Sequence, residues 1–485
     1  MKKMVVGMIV VCLILSALQY QPVRAADLYV DDTGSNVANN CQNSATPCRT
    51  IQYAVNQAAA SGDTIHVAPG TYRFTTNGEV FPITINKNLA LEGAGEPFTT
   101  INGTTPPTTP RDVIQVGNTS VAVVNINGFT ITGGRYVGVR YLNGSSGIVS
   151  YNQIVTNGRE GIRIEGSSPT IIGNDIYFNA YDGVHVLNGS NPRITNNFIA
   201  NNGRHGIYVE DSNPVINGNL MVYNGGGGEW GGDGINIHGS SSSPIITNNT
   251  IAYNDDDSID NEDGGNPTIA NNIIAFANDE GIQWWGGERL TALANGEYNI
   301  SFNDVYGNDC DNYMDMPDLT GINGNISADP MFLEVGEDYR VLACDSPVIN
   351  AGSNGAPEIP DTDIYEEERI VCIVDMGAFE VQADANCPCL QQTIRRPTNL
   401  PSLLPTAQNH ISGGNNLLKQ ADDLLKQAQD KGKDCIQCEN LITEAKALLD
   451  MAKKSLTNPI YANNLALQAL EKLRQAIECL KALPG

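Results

Sequence analysis

Lysine is almost missing from the long middle of this chain: between residues 26 and 418 there is one, Lys87. Basic residues total 28 against 54 acidic ones, a formal charge of −26. A field of that sign repels phosphate backbones and anionic lipid, which argues against nucleic acid as a partner, and it suits divalent cations. Charged residues are only 17% of the chain, while Gly and Pro number 49 and 24. That mix excludes a coiled coil or helical bundle for most of the length. Hydrophobic residues at 41% exclude wholesale disorder. Beyond residue 25 no stretch approaches the roughly 20 apolar residues that span a bilayer, so no transmembrane anchor is expected. At 485 residues the chain has room for about two to four domains.

Residues 1–25 read as a secretory signal: Lys2 and Lys3, an apolar run from Val5 to Leu18, then Val23-Arg24-Ala25 before a cleavage site. Its removal discards three cations and takes the charge from −26 to −29. Cys12 leaves with it, and the ten remaining cysteines, an even number in an exported protein, are read as disulfides. Cys41 and Cys48 close a short loop and are the expected local pair.

What the chain has in abundance is a repeat. The pattern NxIxxN or a near variant recurs from Asn152, Asn174, Asn197, Asn219, Asn249 and Asn272, at intervals of 22, 23, 22, 30 and 23 residues. Each unit continues into a short alternating strand, such as Gly161-Ile162-Arg163-Ile164 or Gly206-Ile207-Tyr208-Val209, and then a proline enters the next strand. Units in the low twenties are too short for helix pairs, and alternating apolar residues mark strands with one buried face. The architecture expected is an all-β right-handed parallel β-helix, with coils about 4.8 Å apart. In it the leading Asn of each unit stacks into an amide ladder. Thr50 opens a capping helix over 50–58, with Ser61-Gly62 as its stop and Thr64–Val67 as the first strand.

The entry segment (Leu28-Tyr29-Val30-Asp31, Pro47-Cys48-Arg49-Thr50-Ile51-Gln52, Gly62 to Tyr72) resembles secreted parallel β-helix proteins of the pectin-lyase-like superfamily. Asn303-Asp304-Val305-Tyr306-Gly307-Asn308, Ser327-Ala328-Asp329-Pro330, Ser346 to Gly352 and Asp375-Met376-Gly377-Ala378-Phe379-Glu380 resemble the choice-of-anchor Q region of bacterial and archaeal surface proteins. The resemblance spans about residues 27–383 and implies an extracellular setting. It implies no single reaction, because that superfamily holds lyases, hydrolases, epimerases and non-catalytic surface proteins.

Stacking lets columns be read from sequence. The residue before each GI-type strand is Glu160, Asp182, His205, Asp233, Asp257 and Glu280; the outward residue of the strand is Arg163, His185, Tyr208, Asn236, Asp260 and Gln283. Two positions on come Glu165, Leu187, Glu210, His238, Glu262 and Trp285. One wall thus gathers three of five His, with Trp230 in the adjoining loop and many carboxylates. Asp233, Asp257 and Asp260 are the candidate catalytic acids, since carboxylates one or two coils apart match the spacings that glycoside hydrolysis needs. His185, His205, Tyr208, Glu210, Trp230, Asn236, His238 and Trp285 are candidate glycan contacts, and Asp255, Asp256 and Glu262 candidate Ca²⁺ ligands. A solvated structural column reads the same acids, because turns favour Asp and Asn for backbone reasons. A lyase lacks an amine base on this wall and would have to use Arg163 or Arg204. Arg204-His205-Gly206 resembles a polygalacturonase His motif, without the paired acids that accompany it. The lengthened coil at 225–232 and the departures Ser258 and Asn261 mark where function is expected.

The expected boundaries are signal 1–25, solenoid with its cap 26–302, solenoid end 303–384, Pro-rich linker 385–410 and a helical hairpin or three-helix module 411–485. That last part has stripes such as Leu441, Ile442, Ala445, Leu448 and Leu449. A staple among Cys435, Cys438 and Cys479 is favoured there over zinc. Two functions follow: a secreted or cell-surface protein that binds polysaccharide along the wall and cleaves it as a lyase or hydrolase with Ca²⁺, or a non-catalytic surface or adhesion protein whose solenoid is a spacer and whose helical module meets a partner.

Overall fold

The computed structural model describes residues 25–382, apart from 60, 97, 105–110, 227–230, 286–297, 335–337 and 342–345, then the helix Ile436–Lys454 and scattered positions between 415 and 480. The expected signal, the linker and Trp230 lie outside the described residues.

Three parallel sheets of eleven, ten and ten strands run the length of the solenoid among these residues. The chain visits the first, third and second sheet in turn, as in Ile148–Ser150, Gln153–Val155 and Ile162–Glu165, and each strand pairs with the strand one coil away. The core is a stack of Ile, Val and Leu pointing inward from all three sheets. Each such side chain contributes about 1.5–3 kcal/mol by leaving water.

Two columns explain why this sequence coils. The leading Asn ladder runs unbroken from Asn152 through Asn174, Asn197, Asn219, Asn249, Asn272 and Asn303 to Asn325, each Nδ2 donating to the next Oδ1 at 2.9–3.1 Å. The last Asn of the motif builds a second ladder, from Asn157 through Asn179, Asn202 and Asn224 to Asn254, at 3.0 Å per step. It breaks at Ala277, whose N–H donates to Asn308 Oδ1 instead. Both ladders satisfy backbone groups buried in the turns. The glycine before each second-sheet strand has a steric cause: a Cβ on Gly183 or Gly206 would meet the carbonyl oxygen of the next coil at 2.7 or 2.6 Å.

Some boundaries differ from the sequence expectation. The first strand is not Thr64–Val67 but Asp27–Val30, which pairs with it in register. The capping helix is Ile51–Gln57, N-capped by the Thr50 side chain. Ser61-Gly62 does not stop it but opens the strand Ser61–Val67, with a register shift absorbed between Ser61 and Asp63. At the other end Asp304–Tyr306 and Tyr313–Met314 still pair with preceding coils, within the segment read as the solenoid end.

Residues 346–382 then turn back along the third sheet. Asn196 Nδ2 donates to the carbonyls of Thr362 and Asp363, Asn248 Nδ2 to that of Asp375, and the Ala378 N–H to Thr250 Oγ1. Ala378 and Phe379 bury Phe198, Leu220, Val222 and Ala252. Those strands are therefore covered on both faces, which accounts for their apolar outward residues.

Cys41 and Cys48 form the expected disulfide, with Cα atoms 5.1 Å apart. Cys372 and Cys438 are each in a disulfide too, but not with one another. Complete pairing is corrected at Cys310, which is free and exposed. In the C-terminal part, Ala421, Cys438, Ile442, Ala445, Leu449, Leu473, Ala476 and Leu480 are buried together. No described helix is long and apolar enough to cross a membrane.

Candidate functional site

The second sheet carries the wall. Arg163, His185, Tyr208, Asn236, Asp260 and Gln283 are register partners in succession, one per coil. Glu210 pairs with His238 in the neighbouring column. The residues just before the strands are stacked too, since the N–H of Gly183, Gly206 and Gly234 donates to the carbonyl of His205, Asp233 and Asp257 in turn. The wall residues from Arg163 to Gln283 are therefore stacked in columns. They are not an open row of solvated groups, however: Asp233 and Asp257 are each only 3% exposed, and Asp260, His185, His205 and Asn236 are also buried. Tyr208, Glu210 and His238 are half-buried, and Trp285 is 53% exposed.

The acidic half of the wall is organised by Asn236. Its Nδ2 lies 2.9 Å from Asp233 Oδ2, 3.2 Å from Asp260 Oδ2 and 3.3 Å from Glu262 Oε1. Since both Asp oxygens lie within 3.2 Å of one nitrogen, they are within about 6 Å of each other. Burial, then the charges of Asp233 and Glu262, push the Asp260 carboxyl up to about 9. Burial, a hydrogen bond with Glu280 and the charge of Asp233 push Asp257 up to about 10. Glu262 is itself partly desolvated, but hydrogen bonds from Asn236 and His238 outweigh this and hold it below the usual range. Asp233 accepts from Asn236 Nδ2 and the Asp257 N–H. His205 Nδ1 is 3.1 Å from Asp233 Oδ2 and also accepts the Asp233 N–H at 3.2 Å.

The ring of Tyr208 stacks on His205 at 5.4 Å and meets His185 edge-on at 4.7 Å. Beyond it, the other half of the wall is a chain of ion pairs. Arg140 contacts Asp112 and Glu165 at 2.8 Å each, and Arg163 contacts Glu165 at 2.6 Å and Glu160 at 3.1 Å. Arg163 is partly desolvated, yet those carboxylates raise its pKa above the ordinary arginine value. It is therefore not a base, and Arg204 Nη2 is turned to His205 Nε2 at 3.3 Å. The lyase base proposed at Arg163 fails for this reason.

The expected cation ligands regroup. Asp255 accepts from Asn278 Nδ2 and Glu262 pairs with His238 at 3.2 Å, so neither joins Asp256. Among the described residues Asp256 instead converges with Asp257 and Asp279, an all-oxygen set suited to a hard cation such as Ca²⁺. Glu160, Asp182 and His185 form a separate set. Asp279, Glu160 and Asp182 were absent from the candidate residues, though Glu160 and Asp182 stand in the same column as Asp233. Asn261 faces the interior between Ile237 and Trp284, where its Nδ2 donates to the Gly265 carbonyl at 3.1 Å; its departure from Ile serves a turn. A cavity of about 320 Å³ lined by Tyr29, Asp31, His66 and Glu92 lies on the first sheet at the opposite end, away from the wall.

Residues 112–274 match the family described as the right handed beta helix region. No curated protein matches this chain. Among solved structures, pectate lyase Pel9A aligns at a TM-score of 0.52 and 16% identity, over 74% of this chain and 97% of that one. The A-module of a mannuronan C-5 epimerase from Azotobacter vinelandii aligns at 0.31 and 14%, over 55% and 91%. The catalytic domain of an α-1,3-glucanase aligns at 0.32 and 14%, over 63% and 70%. With the register of its three sheets, this places the chain from Asp27 to Met314 in the right-handed parallel β-helix, pectin-lyase-like fold.

Proposed function

We propose that this is an exported protein that binds a polysaccharide along the second sheet and hydrolyses it with Asp233 and Asp260. The reading rests on one observation: a single amide, Asn236 Nδ2, holds oxygens of both carboxylates, and the two differ in environment. Asp260, kept protonated by burial, is the proton donor to the leaving oxygen. Asp233, surrounded by donors, is its charged partner. Asp257 positions Asp233 through its N–H. His185, His205, Tyr208 and His238 offer rings along the sheet, and the exposed Trp285 offers a face on which a sugar ring stacks. Ca²⁺ would be held by Asp256, Asp257 and Asp279, where it would draw an anionic sugar toward the acidic half. Likeness in fold to a pectate lyase supports a glycan as the ligand class. The signal-like start and the Cys41–Cys48 disulfide support export, and the resemblance of 303–384 to a choice-of-anchor region supports a surface location.

A second reading, a non-catalytic surface protein, is favoured by the burial of Asp233 and Asp257, which an entering sugar would have to uncover. One experiment separates them. Native protein and Asp233→Ala are incubated with acidic and neutral glycans, and new reducing ends and unsaturated products are scored. Reducing ends without unsaturated products, from the native protein and not the variant, support hydrolysis; no product from any glycan removes the enzyme.

A further inference from the structure

The ionic half of the wall contains a cluster that takes no part in the bond cleavage proposed above. Glu160 and Asp182 close successive turns of one column, and His185 is the outward residue of the strand that Asp182 introduces. All three are buried, the two carboxylates to 1% exposure. His185 Nδ1 lies 3.2 Å from Asp182 Oδ2 and 3.7 Å from Glu160 Oε1. One donor atom from each residue lies within 4.8 Å of the others.

A second, independent observation concerns what these atoms lack. Asp182 Oδ1 has no hydrogen-bond partner and its Oδ2 faces only His185 Nδ1, while Glu160 Oε2 and His185 Nε2 have no hydrogen bond either. A carboxylate buried with one oxygen unpartnered is a costly arrangement unless a cation completes it. Arg163 stands at the edge of the cluster, with Nη1 3.1 Å from Glu160 Oε1 and 3.2 Å from His185 Nδ1. It is drawn the other way by Glu165 at 2.6 Å, and it leaves Asp182 unserved.

We propose that Glu160, Asp182 and His185 bind a borderline divalent cation of the zinc class. The donor set decides the class: one imidazole nitrogen with two carboxylates suits Zn²⁺, whereas Ca²⁺ and Mg²⁺ take oxygen alone. Three protein ligands leave a coordination position for water or a ligand atom. Arg163 is a competitor, because its guanidinium holds part of the charge that the metal would neutralise. The inference does not depend on glycan hydrolysis, and the acidic half of the wall contributes nothing to it.

The test uses the full chain, stripped with a chelator and dialysed against Zn²⁺ in excess Ca²⁺. One zinc per chain is expected. Asp182→Asn and His185→Gln weaken uptake by at least about tenfold, the loss expected on removing a metal-site group. Arg163→Gln tightens it, which a merely structural role for the cluster would not produce. Co²⁺ in place of zinc gives a visible absorption band that His185→Gln alters. Cys310→Ser leaves uptake unchanged, which separates this site from the Asp279, Glu280 and Cys310 group. No uptake by the native chain, uptake indifferent to both ligand substitutions, or displacement of zinc by equimolar Ca²⁺ overturns the proposal. Should Asp182→Asn lose its fold by circular dichroism, His185→Gln and Arg163→Gln decide.

Discussion

The backbone N–H of Asp257 donates to Oδ1 of Asp233 at 3.1 Å. The same bond recurs on either side: the Asp233 N–H donates to His205 Nδ1 at 3.2 Å, and the Glu280 N–H to Asp257 Oδ1 at 2.9 Å. From His205 to Asp257 each side chain in this column thus caps the backbone of the next coil. The scaffold fixes one oxygen of Asp233 and leaves Oδ2 for Asn236. A structural duty and a chemical one therefore fall on different atoms of the same carboxylate.

That division predicts how two substitutions differ. Asp233→Asn keeps an oxygen for the Asp257 N–H, so the fold is retained while the charge is lost. Glycan cleavage falls by about 10²–10⁴-fold, the contribution expected of a positioned acid or base. Asp233→Ala loses the same activity and lowers the thermal midpoint as well. Reducing-end assays beside thermal unfolding check the pair; full activity in Asp233→Asn would assign the column to structure alone.

The stereochemical outcome follows from the bound on spacing. Oxygens of Asp233 and Asp260 within about 6 Å lie nearer the roughly 5–5.5 Å separation of retaining enzymes than the 6.5–9.5 Å of inverting ones. Hydrolysis is expected to retain the anomeric configuration. Proton NMR of the first product anomer, recorded before mutarotation, checks it, and an inverted first product excludes direct attack by this pair.

Stability should fall as pH rises, with calcium chelated. Asp257 and Asp260 carry folded pKa values raised to about 10 and about 9 from an ordinary 3.8. Between about pH 4 and 9 the folded chain holds protons that the unfolded chain has released, so each unit of pH favours unfolding. Asp257→Asn removes one such group and keeps an oxygen for the Glu280 N–H. Its midpoint should exceed the native one at pH 8 by at least about 2–4 °C, the equivalent of roughly 1 kcal/mol, and converge with it near pH 4. Equal slopes for the two proteins would show that Asp257 is not the group responsible.

What the sequence revealed follows from what repeats. Columns such as His185, Tyr208, Asn236 and Asp260 were legible because every strand of the second sheet pairs one coil away without a slip. The leading Asn ladder was legible for the same reason. The return of 346–382 along the third sheet was not, because contacts such as Asn248 to Asp375 span 127 residues and leave no period. The burial of Asp233 and Asp257 was equally hidden, since a column gives neighbours along the axis but no account of what closes over them. Arg163 was misread as a candidate base because its two carboxylate partners became evident only with side chains in place.

The amide ladder makes a stability prediction. Asn219 Nδ2 donates to the Ile194 carbonyl at 2.8 Å and to Asn249 Oδ1 at 3.0 Å, while its Oδ1 accepts from Asn197 N and Nδ2. Asn219→Ala strands several buried groups at once, each worth about 1–3 kcal/mol, so a loss on the order of 3 kcal/mol or more is expected. Asn191→Ala, at an exposed turn, should change stability by less than about 0.5 kcal/mol. Denaturant unfolding of the two variants checks the contrast.

The back-folded segment is pinned by Arg369, which is buried and donates from Nη2 to the carbonyls of Asp375 at 2.9 Å and Gly377 at 2.6 Å. Its charge also faces Glu380, Asp375 and Asp363. Arg369→Met removes the cation that, among the described residues, faces these three carboxylates and should cost about 3–5 kcal/mol locally, the penalty of an uncompensated buried charge. Burial already pushes Asp375 up to about 6 and Glu380 up to about 8, so acid neutralises the cluster without the arginine. The raised values fix the sign: protonation favours the docked form, and ionisation on going to higher pH opposes it. Limited proteolysis of Arg369→Met should therefore cut within 346–382 at pH 8 and spare the segment near pH 5, while the native chain resists at both. Cleavage that is independent of pH would mean that Arg369 holds the segment by its carbonyl bonds and not by its charge.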